Sequence, residues 1–299
     1  MPRTIQEIKN LSPRFRILVI GRRNAGKTTI LRKMCDSDGS DLQIVDANGK
    51  QVDPSILEPN RQRGMSDIEN EITFRSNPLF VFHDSRGIEA GAEHEKDSQL
   101  RTEYLWNFLR KRSMSERIKD QIHAVWFCIP MDEQRAPSAE FELAFFNARE
   151  SPVPIIAVCT KFEALLDSEM SGEDDSSDAL RGTSYPPDQI VQLQNLDEPT
   201  AGCAALTERT YAVIHDKTLS DLFALAQHNS FSVGCTKVLQ AMIETSWKER
   251  MRSSNNEAFE TVCKHTRSYM PTWRYRVSAA IVPTSFHSLT RPCAIARST

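Results

Sequence analysis

Continuous apolar runs alternate along this chain with segments whose apolar positions recur every three or four residues. The runs at 15–20 (FRILVI), 124–129 and 155–159 are unbroken, the pattern of strands covered on both faces of a parallel sheet. Two more strands are expected at 71–75 and 79–83, joined as a hairpin by Ser76, Asn77 and Pro78, and a short last one at 231–233. Helical spacing marks 27–35 through Ile30, Leu31 and Met34, and recurs at Leu100, Tyr104, Leu105, Phe108 and Leu109. It recurs again at Phe141, Ala144, Phe145 and Ala148, at Leu219, Leu222, Phe223 and Ala226, and in a closing helix carrying Val238, Leu239, Met242, Ile243 and Trp247. With no internal repeat, this alternation predicts an α/β fold. Its central sheet has about six strands, mostly parallel with the second antiparallel, between two layers of helices.

Two stretches break the rhythm. Residues 168–206 begin acidic and continue rich in Ser, Gly and Pro, which predicts a partly disordered surface insertion in a domain spanning 14–252. Acidic residues vanish after about residue 270, where Arg274, Arg276, Arg291 and Arg297 stand among Pro, Ser and Thr. The extension 253–299 is therefore expected to be loosely ordered, either a plain basic tail or an arm for a partner or lipid.

Composition narrows the field. A chain of 299 residues makes one elaborated domain or two small ones. Its 39% hydrophobic and 26% charged residues suit a soluble globular protein. A net charge of −3, from 37 basic and 40 acidic residues, gives no global reason to expect nucleic acid or an anionic membrane as partner. No apolar run reaches transmembrane length, and the start has no signal-peptide core. Seven cysteines, with no CxxC pair, form neither a disulfide framework nor a zinc ribbon. A reducing, cytoplasmic setting is expected.

The sharpest chemical signal is Gly21-Arg22-Arg23-Asn24-Ala25-Gly26-Lys27-Thr28, which fits GxxxxGK[ST] between a predicted strand and a predicted helix. A loop leaving a buried strand has to curl so that its amides face a polyphosphate, and glycines allow those dihedrals. The helix that follows favours an anion at its N-terminus. Lys27 brings a mobile cation to the β- and γ-phosphates, Thr28 offers Mg²⁺ a hydroxyl, and Arg23, Asn24, Ala25 and Thr29 complete the nucleotide-binding set.

Which base and which reaction need other residues. Asp84-Ser85-Arg86-Gly87 (DxxG) ends the strand at 79–83. Asp84 there can hold Mg²⁺ through water, and the Gly87 amide can meet a γ-phosphate. Thr160-Lys161-Phe162-Glu163 ends the strand at 155–159. A lysine stem can lie on a purine face while a carboxylate accepts both guanine N1–H and N2–H, a donor pair that adenine lacks.

In this order, each at a strand end, the three motifs resemble those of P-loop GTPases of the translation-factor-related class, over about residues 15–250. GRRNAGKTT is similar to the loop of Era- and TrmE-like enzymes, and several phrases resemble uncharacterised fungal G-domain proteins. The resemblance implies a three-layer P-loop NTPase sandwich, GTP and GDP as ligands, Mg²⁺, and hydrolysis of GTP to GDP. It also implies a base-reading loop near Cys235, after the last strand, and a first-switch hydroxyl on Mg²⁺, for which Ser66 stands in place. The chain departs from the pattern at Glu163, where the family has Asp, and at Ile88, where Ras-like members carry a water-orienting Gln. Glu89 or Glu93 can reach the attacking water instead, or Asn24 can help hold a K⁺ near the phosphates, as the matching residue does in the TrmE-like branch. His83 and Asn24 also have plain roles, as a packed strand residue and a turn residue. Slow turnover raised by a protein activator, a homodimer or K⁺ is one expectation. A nucleotide-binding scaffold without hydrolysis is another, and an ATP-using P-loop enzyme a third.

Overall fold

The computed structural model describes Glu7 and residues 10–22, 24–54, 67–85, 95–131, 140–166, 175–198, 201–227, 233–235 and Lys237. The chain divides into two compact units, Met1–Lys237 and Val238–Thr299, and all described residues belong to the first.

Eight strands form one sheet: β1 (Phe15–Gly21), β2 (Leu42–Val45), β3 (Gln51–Val52), β4 (Glu71–Phe74), β5 (Phe80–Asp84), β6 (Ala124–Pro130), β7 (Ile155–Thr160) and β8 (Gln189–Gln192). Their spatial order is β3-β2-β4-β5-β1-β6-β7-β8. From β5 to β8 all pairings are parallel. On the other side β4 pairs antiparallel with β5, β2 with β4, and β3 with β2. The helices are α1 (Lys27–Met34), α2 (Glu95–Ser113), α3 (Glu140–Ala148), α4 (Glu163–Leu166), α5 (Asp175–Arg181), α6 (Ala204–Val213) and α7 (Lys217–Ala226).

The central strands are buried along their whole length because both faces are covered. Alternate residues of β1 serve opposite layers. Leu18 and Ile20 join Leu105, Trp106 and Phe108 of α2 and Phe145 and Phe146 of α3 in one core. On the other face Phe15 packs edge-on against Phe80 of β5 and Phe223 of α7, and the Trp126 indole donates to Thr210 of α6 at 3.0 Å. The expected three layers are present.

The strand count is larger than expected, and the additions lie towards the edges. Residues between α1 and β4 contain β2 and β3, where the sequence reads as polar loop. Only Ile44 of β2 is buried, so a short partly covered strand leaves little apolar pattern. The segment expected as a surface insertion contributes α5 and β8, and Val191 is the one buried residue of β8. The expected last strand at 231–233 is not borne out at its described end: Val233 begins a helical turn, and the place beside β7 is filled by β8. The helix at 141–148 presents a rotated face, with Glu142, Phe145 and Phe146 buried while Ala148 is exposed. The expected closing helix at 238–247 lies outside the described residues.

Candidate nucleotide site

The C-terminal rim of the parallel strands gathers the motifs. At β1 the strand order reverses: the chain goes from β1 to β2 on the β5 side and from β5 to β6 on the other, the kind of place where α/β folds bind ligands.

The loop leaving β1 takes three left-handed residues in quick succession: Gly21 (φ 147), Asn24 (φ 63) and Gly26 (φ 72). A side chain on Gly21 would overlap the carbonyl oxygen of Cys128 on β6, so the loop starts where two backbones nearly touch. Asn24 is exposed and tolerates its dihedral as asparagine does. Ala25 is buried, and its amide closes a turn onto the Arg22 carbonyl at 3.2 Å. Gly26 is the N-cap of α1 and brings no side chain to it. Lys27 is 6% exposed. Its ammonium curls back over the loop and donates to the Gly21 and Arg22 carbonyls, the latter at 2.6 Å. Thr28 and Thr29 follow on the first turn, both half-buried. A helix N-terminus and a positive charge thus meet at the end of β1.

Asp84 ends β5, opposite Val19 of β1, with its carboxylate almost wholly out of water. A carboxylate and a hydroxyl are donor types that suit a phosphate-bound Mg²⁺, and Asp84 and Thr28 offer one of each at this rim. Among the described residues no cluster of three or more His, Cys, Asp or Glu could hold a metal ion.

The third motif docks on the first. Thr160, fully buried at the end of β7, donates its hydroxyl to the Ala25 carbonyl at 3.2 Å, and its side chain lies 3.6 Å from where a Gly26 Cβ would stand. Lys161 is left-handed (φ 55), which turns the chain away from the strand. Glu163 opens α4, and its Oε2 accepts from the Asn195 amide at 3.0 Å, just past β8. The Phe162 amide donates to the Leu193 carbonyl at 3.2 Å. The base-reading candidate thus rests on the exit of β8, an edge strand that the sequence pattern does not announce.

His83 does not face this rim. Its ring is buried, with Nδ1–H donating to the Ile68 carbonyl at 2.9 Å and Nε2 accepting from Arg16 at 3.2 Å, since a guanidinium can only donate. Burial, with Arg16 nearby, pushes its pKa down to about 4. Cys235, on the helical turn at 233–235, is half-buried, and burial raises its thiol pKa. Arg23, Ser66, Gly87, Glu89, Glu93 and Ile88 lie outside the described residues.

One pairing escaped the sequence. Arg22 makes a two-pronged ion pair with Glu142 of α3, at 2.7 Å and 2.8 Å, and Glu142 is 0% exposed. The available signal was the spacing of Glu142, three and four residues before Phe145 and Phe146.

No protein-family model and no curated protein matches the chain. Among solved structures it is similar to a GDP-bound mutant of NFeoB from S. thermophilus: 12% identical, covering 87% of this chain and 91% of that one, with a TM-score of 0.36. It is similar to the cytosolic domain of the T. maritima FeoB iron transporter in its GMPPNP form, at 13% identity, 86% and 87% coverage and a TM-score of 0.37. A chain of an oligomerised bacterial dynamin pair is similar at 13% identity and a TM-score of 0.38, with 81% of this chain covering 40% of that one. At such identities and scores function has to be read from the residues.

Proposed function

We propose that this chain binds guanine nucleotides with Mg²⁺ at the C-terminal rim of its sheet and hydrolyses GTP to GDP slowly. The observation that carries the proposal is the β1–α1 loop: left-handed Gly21, Asn24 and Gly26, then a helix N-terminus, with the Lys27 ammonium curled over the loop. Such a curl suits a phosphate or similar anion, and with GxxxxGK[ST] a polyphosphate. Thr160 braces it from behind; in this reading the Lys161 stem lies on a purine face and Glu163 accepts from the guanine edge. Thr28 and Asp84 would hold Mg²⁺, with Ser66 proposed for the first switch and Gly87 for the γ-phosphate. The ion would draw charge from the phosphate oxygens. Lys27 stabilises the same charge from the protein side.

Slow turnover follows from Ile88, which cannot orient water. Glu89 is our candidate to reach the attacking water, and Asn24 the candidate to help hold a K⁺. An activator protein or a second copy would serve the same end. The same Ile88 favours a second reading, a nucleotide-binding scaffold without hydrolysis.

Calorimetry with GTP, GDP and ATP, with and without Mg²⁺, tests the proposal. Mg²⁺-dependent heat with GTP and GDP but little with ATP is expected, and no heat with any of them refutes it. Single-site turnover in K⁺ against Na⁺ then separates the readings. Faster GTP loss in K⁺ supports the cation, equal rates remove it, and undetectable loss with retained binding favours the scaffold.

A further inference from the structure

The carboxylate of Glu142 is fully buried, 120 residues from Arg22 in sequence, and engages that guanidinium through two hydrogen bonds. A buried ion pair is an expensive way to hold two elements together, since apolar side chains of similar volume often do as well or better. Its place on the chain explains it. Arg22 follows Gly21 directly, and its carbonyl accepts from the Lys27 ammonium at 2.6 Å. The links therefore run from the α3 carboxylate to the Arg22 side chain, and from the Arg22 carbonyl to the lysine that meets phosphate.

Helix α3 is a firm base for this. Glu142 precedes Phe145 and Phe146 by three and four residues, so all three share its inner face. Phe145 stacks on Trp106 of α2 at 4.7 Å, and both phenylalanine rings lie 5.0 Å from Phe127 of β6.

We propose that Glu142 is a positioning residue of the phosphate loop, fixing the start of the loop and the Lys27 ammonium through Arg22. The inference rests on the nucleotide-binding reading above. It has a consequence opposite in sign to simple electrostatics. Removing a carboxylate beside a polyanion site should tighten nucleotide binding by Coulomb's law alone. If the carboxylate positions the loop, removing it weakens binding instead.

The test uses the full chain, Mg²⁺ and a fluorescent GDP analogue as probe, with thermal unfolding measured alongside. Two variants are compared with the parent: Glu142→Gln, nearly isosteric, and the double variant Arg22→Met with Glu142→Met, which fills the same space without charge. Both are expected to bind the probe about 10–100-fold more weakly, the loss usual for removing a residue that orients a ligating group. The double variant should melt close to the parent, separating positioning from stability. Should Glu142→Gln fail to fold, Glu142→Asp decides, since it keeps the charge and shortens the reach by one methylene, so that Coulomb's law alone predicts no change in binding while mispositioning predicts a loss. Unchanged or tighter binding by the folded variants, with the parent binding normally, overturns this inference alone. A parent that binds no guanine nucleotide overturns the functional proposal and this inference with it.

Discussion

Replacing Gly21 with alanine should destabilise the protein far more than the same change at Gly26 or Gly49, although all three glycines have positive φ. At Gly21 (φ 147) the new Cβ would overlap the Cys128 carbonyl oxygen and stand 2.9 Å from the Cys128 Cβ. Neither can yield, because Gly21 and Cys128 are paired in register between β1 and β6. The dihedral alone costs about 1–3 kcal/mol, and overpacking a buried backbone contact about 1–3 kcal/mol more. The sum, about 2–6 kcal/mol, is a large part of the roughly 5–15 kcal/mol that holds a typical domain together. At about 2–4 °C per kcal/mol for a domain of this size, the melting temperature should fall by at least about 4 °C. At Gly26 (φ 72) the nearest atoms to a new Cβ lie 3.6 Å away, on Thr160, an ordinary contact. At Gly49 (φ 80) nothing lies within 4 Å. Those two should lose only the left-handed strain, about 1–2 kcal/mol each. The assay is thermal unfolding of the three single variants by far-ultraviolet circular dichroism, without nucleotide. If Gly21→Ala melts within about 2 °C of the other two, the close approach of β1 and β6 is not what shapes the start of the loop.

Lys27→Ala should lower GTP affinity by about 10–150-fold, the worth of charge-assisted hydrogen bonds, in a fluorescent-nucleotide titration; undiminished affinity would remove the lysine from the phosphate site. Glu163→Ala should weaken GTP about 10–100-fold and leave ATP untouched in a competition assay, and equal GTP binding would mean that its bond to Asn195 is its whole role. His83 and His123 are buried neutral, with pKa values pushed down to about 4 from the ordinary 6.5. In the unfolded chain they take protons first as pH falls, so their stabilisation is full above about pH 6.5 and is lost towards about pH 4, up to about 3 kcal/mol each. Urea unfolding at a series of pH values should show that decline. Ring-carbon NMR shifts moving near pH 6.5 in the folded protein would contradict it.

Much of the site was legible because its chemistry is compact in sequence. The phosphate loop, Asp84 and Thr160 each follow a strand whose burial on both faces makes it a continuous apolar run, so strand ends could be located within a residue or so. What the pattern missed is held by few apolar positions. β2 and β8 each bury a single residue and β3 none, and two polar glutamines bound β8. Asn195 escaped for that reason, although its amide meets Glu163. Glu142 escaped because periodicity sorts acids to the outside, and only its phase with Phe145 and Phe146 placed it inward.

Among the described residues the sheet ends in a short strand on each flank. β3 spans two residues and β8 four, and β3 is the less covered of the two. An edge of so few residues makes a poor template for a foreign strand. If copies of this chain associate, they are better served by helices and loops than by extending one sheet into the next.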